Sequence, residues 1–375
     1  MNKKEDHMTK EKHNSIKTHE SKFTVVDLFA GAGGFSLGFS QAGAKIIGAI
    51  EIDKWAAETF KKNHPDANVV VGDLTKLSDE EIKKNFNNPY IVLGGPPCQG
   101  YSICNKNAGD TKDPRNSLFI EFLRAVRVLN PKIVIMENVP NLIKAETKNK
   151  EKVIDIIHAE LEKLGYSVKS DILEAVKYGV PQIRKRLFVI GTKIPLNNYF
   201  PKETHNEKNF VTLWEAISDL PQIEAREGKE EMDYKGIPKN NFQRTLREGS
   251  NKIFNHVAMK HSKRMIERFK SMEWGHSVNN VPDKLKPFKR GKIGEISENG
   301  YDQNNRKMHP DRPCHTVPAS FYANFVHPYK QSNFTAREGA RIQTFPDTFI
   351  FCGKPTVVSR KLLEREGREE ENWSC

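Results

Sequence analysis

The sequence lacks any long hydrophobic run. No segment approaches the roughly 18 consecutive apolar residues that a membrane-spanning helix needs. The first residues include lysine and histidine, where a secretory signal requires an apolar block. We therefore expect no membrane span and no secretory leader, and we predict a cytoplasmic location.

Cysteine is scarce, and its spacing is not that of a disulfide framework. The chain has five cysteines, and no two of them form a C-x-x-C pair. They are Cys98, Cys104, Cys314, Cys352 and Cys375. Disulfide-rich folds and zinc ribbons need even numbers or closely spaced pairs. We therefore expect no metal site, and any cysteine with a special role is expected to be a nucleophile.

The composition is that of a globular protein with a basic bias. The 375 residues include 60 basic and 48 acidic side chains, which gives a formal net charge of +12. Residues 244–292 hold 13 lysines and arginines against four acidic residues, which favours a polyanionic partner. The alternative is the solvated face of a helix, whose buried side would be Met265, Ile266, Phe269 and Met272.

Strand and helix patterns alternate in the first half of the chain. Short β-branched runs typical of buried strands lie at residues 23–29, 45–50, 68–71, 90–93, 133–136 and 187–190. The clearest helical spacing lies between them, at residues 117–129. This alternation predicts an α/β fold with a doubly wound, mostly parallel sheet that binds ligands at the carboxyl ends of its strands.

Changes in residue pattern along the chain predict four segments. Residues 1–21 have no apolar period and are expected to be a disordered tail. Residues 22–192 form the sheet domain, and residues 193–311 form a second, smaller and irregular domain. Residues 312–375 return to the first domain, with a helix whose start fits a capping box from Thr335 to Glu338.

The ends of the first three strands suit an adenosine ligand. A glycine-rich turn, Gly31-x-Gly33-Gly34, follows the first strand and lets a backbone approach a ligand closely. Glu51 ends the second strand, where a carboxylate can take both ribose hydroxyls, and Asp73 follows the third. The alternative is that Glu51 and Asp73 only cap the following helices. The glycine spacing is not the G-x-G-x-x-G dinucleotide fingerprint, which disfavours a dehydrogenase.

Three further strand boundaries carry reactive side chains. Cys98 follows Pro96-Pro97 after the fourth strand, and Glu137 follows the fifth. Arg184 and Arg186 alternate onto one face as the chain enters the next strand. A cysteine, a carboxylate and paired arginines at one edge of a sheet form a candidate catalytic constellation.

The ordered motifs together resemble the DNA (cytosine-5)-methyltransferases of bacterial restriction-modification systems. The resemblance covers residues 23–349 and rests on six segments, at 27–35, 96–99, 137–139, 182–186, 312–316 and 337–346. It implies the fold of S-adenosylmethionine-dependent methyltransferases, with S-adenosylmethionine as cofactor and double-stranded DNA as substrate. It also implies that residues 193–311 form the domain that recognises the DNA target.

The resemblance implies a role for each matching residue. Cys98 would add to carbon 6 of a flipped-out cytosine, and Glu137 would hydrogen-bond N3 and the amino group. Arg186 would orient Glu137 and touch O2, and Arg184 would serve phosphate or the same network. The implied cofactor-binding residues are Phe29, Gly31, Gly33, Gly34, Phe35, Glu51, Ile52, Asp73, Leu74, Pro96 and Leu118. The implied DNA contacts are Gln99, Ser102, Arg115 and Thr316.

The sequence departs from the family near its end. A Gly-Asn-x-Val-Pro segment that normally completes the cofactor pocket has no counterpart before Cys375. We therefore expect a truncated chain, or a separate polypeptide that supplies this segment. A cognate restriction endonuclease is the expected functional partner. The alternatives are an RNA cytosine-5 methyltransferase and a truncated, inactive protein that still binds DNA.

Overall fold

The computed structural model describes residues 23–97, 118–147, 149–289, 295–297 and 305–353. The expected tail at residues 1–21 and the segment from residue 354 onward lie outside the described residues. Within the described ranges, every helix is too short or too polar to cross a membrane.

Most of the strands belong to one large sheet. In chain order the strands are β1 (Thr24–Leu28), β2 (Lys45–Glu51), β3 (Asn68–Val71), β4 (Ile91–Gly94), β5 (Ile133–Asn138), β6 (Ser167–Glu174), β7 (Gln182–Ile183), β8 (Lys185–Thr192), β9 (Gly228–Asp233), β10 (Lys252–Val257), β11 (Arg306–Lys307), β12 (Cys314–His315) and β13 (Phe325–Val326). Seven form a sheet in the order β3-β2-β1-β4-β5-β8-β6. All of its pairs are parallel except those of β8, which is antiparallel to β5 and β6. The expected mostly parallel sheet is confirmed.

Six of the ten described helices begin after a residue whose side chain caps the first turn. The ten helices are α1 (Gly34–Gln41), α2 (Lys54–Asn63), α3 (Asp79–Asn85), α4 (Leu118–Leu129), α5 (Val153–Lys163), α6 (Leu213–Ile217), α7 (Asn241–Arg247), α8 (Lys263–Lys270), α9 (Phe321–Asn324) and α10 (Ala336–Ile342). The capping box predicted from Thr335 to Glu338 is present at the start of α10.

Helices cover both faces of the sheet. On one face, Val26 and Leu28 of β1 pack with Phe122 of α4 in a core that α3 and α5 also join. On the other face, Val25 packs with Phe60 of α2. Because β1 is buried on both sides, its sequence is a continuous apolar run interrupted only by Asp27.

Two features of the sheet differ from the sequence-based expectation. Strand β6 was not predicted, because its residues are mostly polar and at least partly exposed at the edge of the sheet. The strand expected at residues 187–190 lies within β8, but it enters the sheet antiparallel. The first residues of β8 therefore lie at the same edge as the carboxyl ends of the parallel strands.

A second apolar core lies outside the sheet. Leu213 and Ile217 of α6 pack there with Ile253 of β10 and with Phe334 and Ile342 from the later part of the chain. Residues on both sides of position 312 thus share one core. The domain boundaries at 193 and 312 stay predictions.

A buried ion network joins α10 to this second core. Arg341, which is 0% exposed, donates to Asp347 Oδ1 at 2.7 Å and to Asp347 Oδ2 at 2.6 Å. It also donates to Asp219 Oδ1 at 2.9 Å. Arg337, one turn earlier, donates from Nε to the carbonyl of Phe254 in β10 at 2.9 Å. The two arginines fix α10 against α6 and β10, the elements that supply this core.

Replacing Arg341 with methionine should destabilise the fold strongly. The substitution leaves two buried carboxylates, Asp219 and Asp347, without the guanidinium that they share, and such losses cost about 3–5 kcal/mol. Urea unfolding of the purified chain measures the change. The control is Lys163→Met, which removes an exposed ion pair with Glu160 and should have little effect. Equal unfolding midpoints for the two variants would contradict this assignment.

Candidate active site

The turn after β1 has an unusual backbone. Phe29, Gly31 and Gly33 have φ angles of 59°, 54° and 93°. Gly33 directly precedes α1, and a Cβ there would lie 2.8 Å from a ring carbon of Phe60. Glycine is therefore needed at this position both for its left-handed backbone and for lack of space. The turn leads directly into Gly34, the first residue of α1.

Glu51 is held beside this turn. Its side chain is almost fully buried, and its two carboxylate oxygens accept hydrogen bonds from different backbone groups. The N–H of Gly31 donates to Oε2 at 2.7 Å, and the N–H of Asp53 donates to Oε1 at 2.8 Å. Glu51 is not a helix cap, because Asp53 caps α2. The carboxylate is oriented at the glycine-rich turn, as a ribose-binding group would need to be.

Asp73 does cap a helix. Its Oδ1 accepts hydrogen bonds from the Thr75 N–H at 3.0 Å and from the Thr75 hydroxyl at 2.8 Å. The second oxygen, Oδ2, accepts no hydrogen bond from the described part of the chain. The capping interpretation therefore describes Oδ1, and Oδ2 is left for a ligand.

The other expected cofactor residues near these strand ends have different exposures. Ile52 is 61% exposed just after β2, whereas Leu74 is 2% exposed and packs in the sheet core. Pro96 is buried after β4, and Leu118 is partly buried at the start of α4. The side chain of Leu74 thus stabilises the fold, and only its backbone remains near the sheet edge.

Glu137 and Arg186 form an ion pair at the end of β5. Antiparallel pairing places Glu137 opposite Phe188 of β8, so that Arg186 reaches back to it. Arg186 Nε lies 2.8 Å from Glu137 Oε1, and the two side chains are 20% and 27% exposed. The other oxygen, Oε2, faces Gly95, where an added Cβ would be 3.5 Å away. One carboxylate oxygen is thus fixed and the other lies beside the chain that leads to Cys98.

Arg184 lies near this pair as a largely buried cation. Burial lowers the pKa of Arg184 to about 10, and the charge of Arg186 acts in the same direction, while Glu137 opposes them. The guanidinium stays positive at neutral pH. Among the described residues it has no hydrogen-bond or ion-pair partner, so its donors are available to an anionic ligand.

The residue next to Glu137 holds the loop before the expected nucleophile. Asn138 is buried, and its Nδ2 donates to the carbonyl of Pro96 at 3.0 Å. This bond fixes the backbone two residues before Cys98 relative to the end of β5. Cys98 itself lies outside the described residues, as do Gln99, Ser102 and Arg115.

Thr316 lies against β7, the short strand just before the two arginines. Strand β12 pairs in parallel with β7, which contains Gln182. The Thr316 hydroxyl donates to the carbonyl of Ile183 at 2.7 Å, and the N–H of Val317 donates to Gln182 Oε1 at 3.1 Å. Thr316 is exposed, but it does not line the cavity described next. Its expected DNA contact stays a prediction.

A cavity of about 550 Å³ joins the glycine-rich turn to the ion pair. It brings together six of the residues expected from the sequence: Phe29, Gly34, Phe35, Glu137, Arg184 and Arg186. Of the expected residues that the structure describes, Gly31 and Glu51 adjoin the same turn, and Asp73 follows the next strand end. A volume of this order is typical of a small-molecule site.

Several cavity residues were not predicted. Gln343, Thr344 and Phe345 reach it from the end of α10. Tyr178 reaches it from the segment before β7, and Pro201 from the segment after β8. The sequence contains the motif at 337–346, but nothing in the sequence places its last residues beside the glycine-rich turn. Gln182 also lines the cavity. Its alternation with Arg184 and Arg186 in the sequence is a pattern that could have predicted this.

The basic segment at residues 244–292 has a partly structural role. Arg268 of α8 is buried and donates to the carbonyl of Leu285 at 2.6 Å, and the Arg247 guanidinium stacks 3.5 Å from the Tyr234 ring centre. Phe269 is also buried, which confirms the expected inner side of this helix. Part of the charge excess therefore stabilises the second core and a separate cluster around Phe269, and several of the described lysines of this segment are exposed.

The carboxyl group of Asp27 has an altered pKa beside the cavity. Burial raises the pKa of Asp27 to about 7, although a hydrogen bond from Ser36 lowers it. The Ser36 hydroxyl donates to Asp27 Oδ2 at 2.7 Å. Asp27 lines the cavity and is 1% exposed. The folded protein thus binds a proton at Asp27 over a pH range in which the unfolded chain does not.

A known sequence family matches most of the chain. Residues 23–362 match a model of the C-5 cytosine-specific DNA methylase family. The chain is 47% identical to the Type II methyltransferase M.DdeI of Desulfomicrobium norvegicum over 339 residues, which is 89% of this chain and 81% of that protein. It is 37% identical to the Type II methyltransferase M1.HphI of Haemophilus parahaemolyticus, over 90% of this chain and 82% of the other.

A solved structure has a similar fold over most of the chain. A prophage-encoded protein of E. coli, described as a DNA modification methyltransferase, superposes with a TM-score of 0.67 at 28% identity. The superposition covers 88% of this chain and 90% of that one. The similarity includes the large sheet and extends beyond it.

Asp27→Asn should make stability less dependent on pH. Because the folded-state pKa of Asp27 is raised, its contribution is fully present below about pH 4 and is lost as the pH rises through about 7. The advantage of Asp27→Asn over the wild type should therefore grow between pH 5 and pH 8, by on the order of 1–3 kcal/mol. Urea unfolding at both pH values measures it, with the exposed Asp66→Asn as control. A constant difference between the proteins would refute the assignment.

Proposed function

The chain belongs to the C-5 cytosine-specific DNA methylase family, and from this premise we propose that it methylates carbon 5 of a cytosine flipped out of a specific duplex sequence. It is a DNA (cytosine-5)-methyltransferase of the Type II restriction-modification kind. In this reaction Cys98 forms a covalent intermediate with the base, and the cavity residues bind the base, the phosphate and the cofactor. The observation that carries this proposal is the Glu137–Arg186 ion pair, 2.8 Å long, in a cavity shared with the glycine-rich turn.

The chemistry requires a nucleophile in the protein. Carbon 5 of cytosine is a weak nucleophile, and addition of a thiolate to carbon 6 converts the ring into an enamine-like species. We assign this role to Cys98, which follows the Pro96-Pro97 pair at the end of β4. Loss of the carbon 5 proton after methylation breaks the bond to sulfur and restores the ring.

Glu137 and Arg186 act on the opposite edge of the base. The Arg186 guanidinium holds Oε1 of Glu137, and Oε2 is left to bind N3 and the exocyclic amino group. As the thiolate adds, N3 becomes basic, and a proton taken up on Oε2 and shared with N3 would neutralise the charge that develops in the ring. The ion pair holds the carboxyl group in position for this step, so it needs no reorganisation during the reaction. The remaining donors of Arg186 suit cytosine O2.

Arg184 suits the charged part of the nucleotide. It is a largely buried cation that lines the cavity and has no described partner. A phosphate oxygen next to the flipped cytosine would pair with it in a bidentate arrangement. Binding there would also offset the cost of burying an isolated positive charge.

The residues around the turn after β1 fit S-adenosylmethionine. Glu51 presents an oriented carboxylate for the ribose hydroxyls, and Asp73 keeps one oxygen for the adenine amino group. Phe29, Gly34 and Phe35 line the part of the cavity that adjoins this turn. When bound, the cofactor supplies an electrophilic methyl group on a sulfonium.

The substrate is proposed to be duplex DNA that the protein locally opens. A stacked base cannot enter a cavity in the protein, so the target nucleotide must swing out of the helix. Gln99, Ser102, Arg115 and Thr316 are proposed to contact the flanking backbone, and the surface charges of residues 244–292 to bind phosphates. The proposed functional counterpart is a restriction endonuclease that cuts the unmethylated sequence.

Cys98→Ala should abolish methyl transfer. The thiolate that activates the ring is lost, and alanine offers no substitute. Tritiated methyl incorporation into plasmid DNA measures turnover, with bulk tRNA as the competing substrate. Wild-type protein should also form a covalent complex with a duplex that carries 5-fluorocytosine, and Cys98→Ala should not. Residual turnover in the variant, or transfer to tRNA alone, would refute the proposal.

Glu137→Gln should lower kcat by about 10²–10³-fold, a loss typical of removing one stabilising group. The substitution keeps the size of the side chain but removes its charge. Filter binding should show nearly unchanged affinity for duplex DNA, because the cost falls on the chemical step. The matched control is Glu160→Gln on the exposed surface of α5, which should leave kcat unchanged. Comparable kcat values for the two variants would exclude the role assigned to Glu137.

A further inference from the structure

Helix α10 ends in a conformation that normally requires glycine. The N–H of Thr344 donates to the carbonyl of Arg341 at 3.0 Å, and the N–H of Phe345 donates to that of Ala340 at 3.0 Å. This pair of hydrogen bonds defines a Schellman motif, in which the residue at position 344 adopts a left-handed backbone. Thr344 has a φ angle of 64°.

A threonine at this position is strained. Left-handed φ angles bring Cβ close to backbone atoms, and β-branched residues tolerate them least. The Thr344 hydroxyl donates only to the carbonyl of the preceding residue, Gln343, at 2.6 Å. No other side-chain hydrogen bond of Thr344 is made to the described part of the chain. The described contacts of Thr344 therefore do not explain why this position holds threonine rather than glycine.

The residues with positive φ angles differ in whether they line the cavity. Eight described non-glycine residues have positive φ angles, and half of them are asparagine, which tolerates this backbone. The others are Phe29, Lys150, Arg226 and Thr344. Phe29 and Thr344 both line the cavity, whereas Lys150 and Arg226 do not. Strain held in two residues of one cavity points to a ligand there.

Thr344 is also connected to the turn that follows β1. The neighbouring Phe345 packs on Gly34, where an added Cβ would lie 2.9 Å from the ring. Gly34 begins α1 directly after the turn that contains Phe29. Residues 343–345 therefore adjoin the start of α1 and line the same cavity as Phe29.

We propose that Thr344 contacts bound S-adenosylmethionine and that this contact is the reason for keeping a β-branched residue in a left-handed backbone. The inference rests on the proposed function, because it assigns this part of the cavity to the methyl donor. The Cβ substituents of Thr344 would add apolar contact opposite Phe29. The protein thus gives up stability in order to bind its cofactor.

Substitutions that relieve the strain at Thr344 should raise the stability of the protein and weaken its binding of S-adenosylmethionine. Thr344→Gly and Thr344→Asn both suit the left-handed backbone, so we expect the unfolding temperature to rise by about 2 °C. Loss of the side-chain contacts should raise the Kd for S-adenosylmethionine by about tenfold. Calorimetric titration of the purified chain measures Kd, and thermal unfolding without ligand measures stability.

Two control variants isolate the contact. Thr344→Val keeps the shape and the strain, so its Kd and unfolding temperature should stay near those of the wild type. Lys150→Gly relieves a left-handed residue outside the cavity and should raise the unfolding temperature without changing Kd. Unchanged cofactor affinity in Thr344→Gly, or a change in DNA affinity alone, would overturn the contact. A wild-type chain that binds no S-adenosylmethionine would instead overturn the proposed function.

Discussion

The edge of the sheet that holds the proposed catalytic residues depends on one strand that runs antiparallel to its neighbours. In a parallel sheet only the residues that follow each strand reach the ligand edge. Because β8 is antiparallel to β5, the residues at its start reach that edge too. This arrangement puts Arg186 within 2.8 Å of Glu137 and puts Arg184 in the same cavity. If β8 were parallel, its first residues would lie at the opposite edge of the sheet from Glu137.

The second constraint is the placement of α10. Arg337 and Arg341 are fully buried and tie this helix to β10, to Asp219 and to Asp347. A buried pair of this kind adds little net stability, but it penalises any arrangement that leaves a charge unpaired. The end of α10 is thereby held against the first turn of α1. The cavity is therefore lined by residues of the first half of the chain together with residues 343–345.

Individual elements show where sequence-based prediction succeeds. The six expected strands are present because each is a compact run rich in β-branched and other apolar residues, including β3 at one edge of the sheet. Strand β6 escaped prediction because an edge strand derives its stability from pairing with β8 rather than from an apolar sequence. Asp73 had two interpretations, and both apply to it, since Oδ1 caps a helix and Oδ2 has no partner in the described chain.

The sequence by itself determined the types of the reactive residues and their order along the chain, because strand and turn patterns are local and place each motif at a strand boundary. The ordered motifs also carry the resemblance to the methyltransferase family, which implies the cofactor and the nucleophile. Only the tertiary structure decided the direction of β8, the pairing of Glu137 with Arg186 and the approach of Thr344 to the glycine-rich turn. These features join residues that lie far apart in sequence, and they depend on hydrogen-bond register and buried charge, which no local pattern specifies.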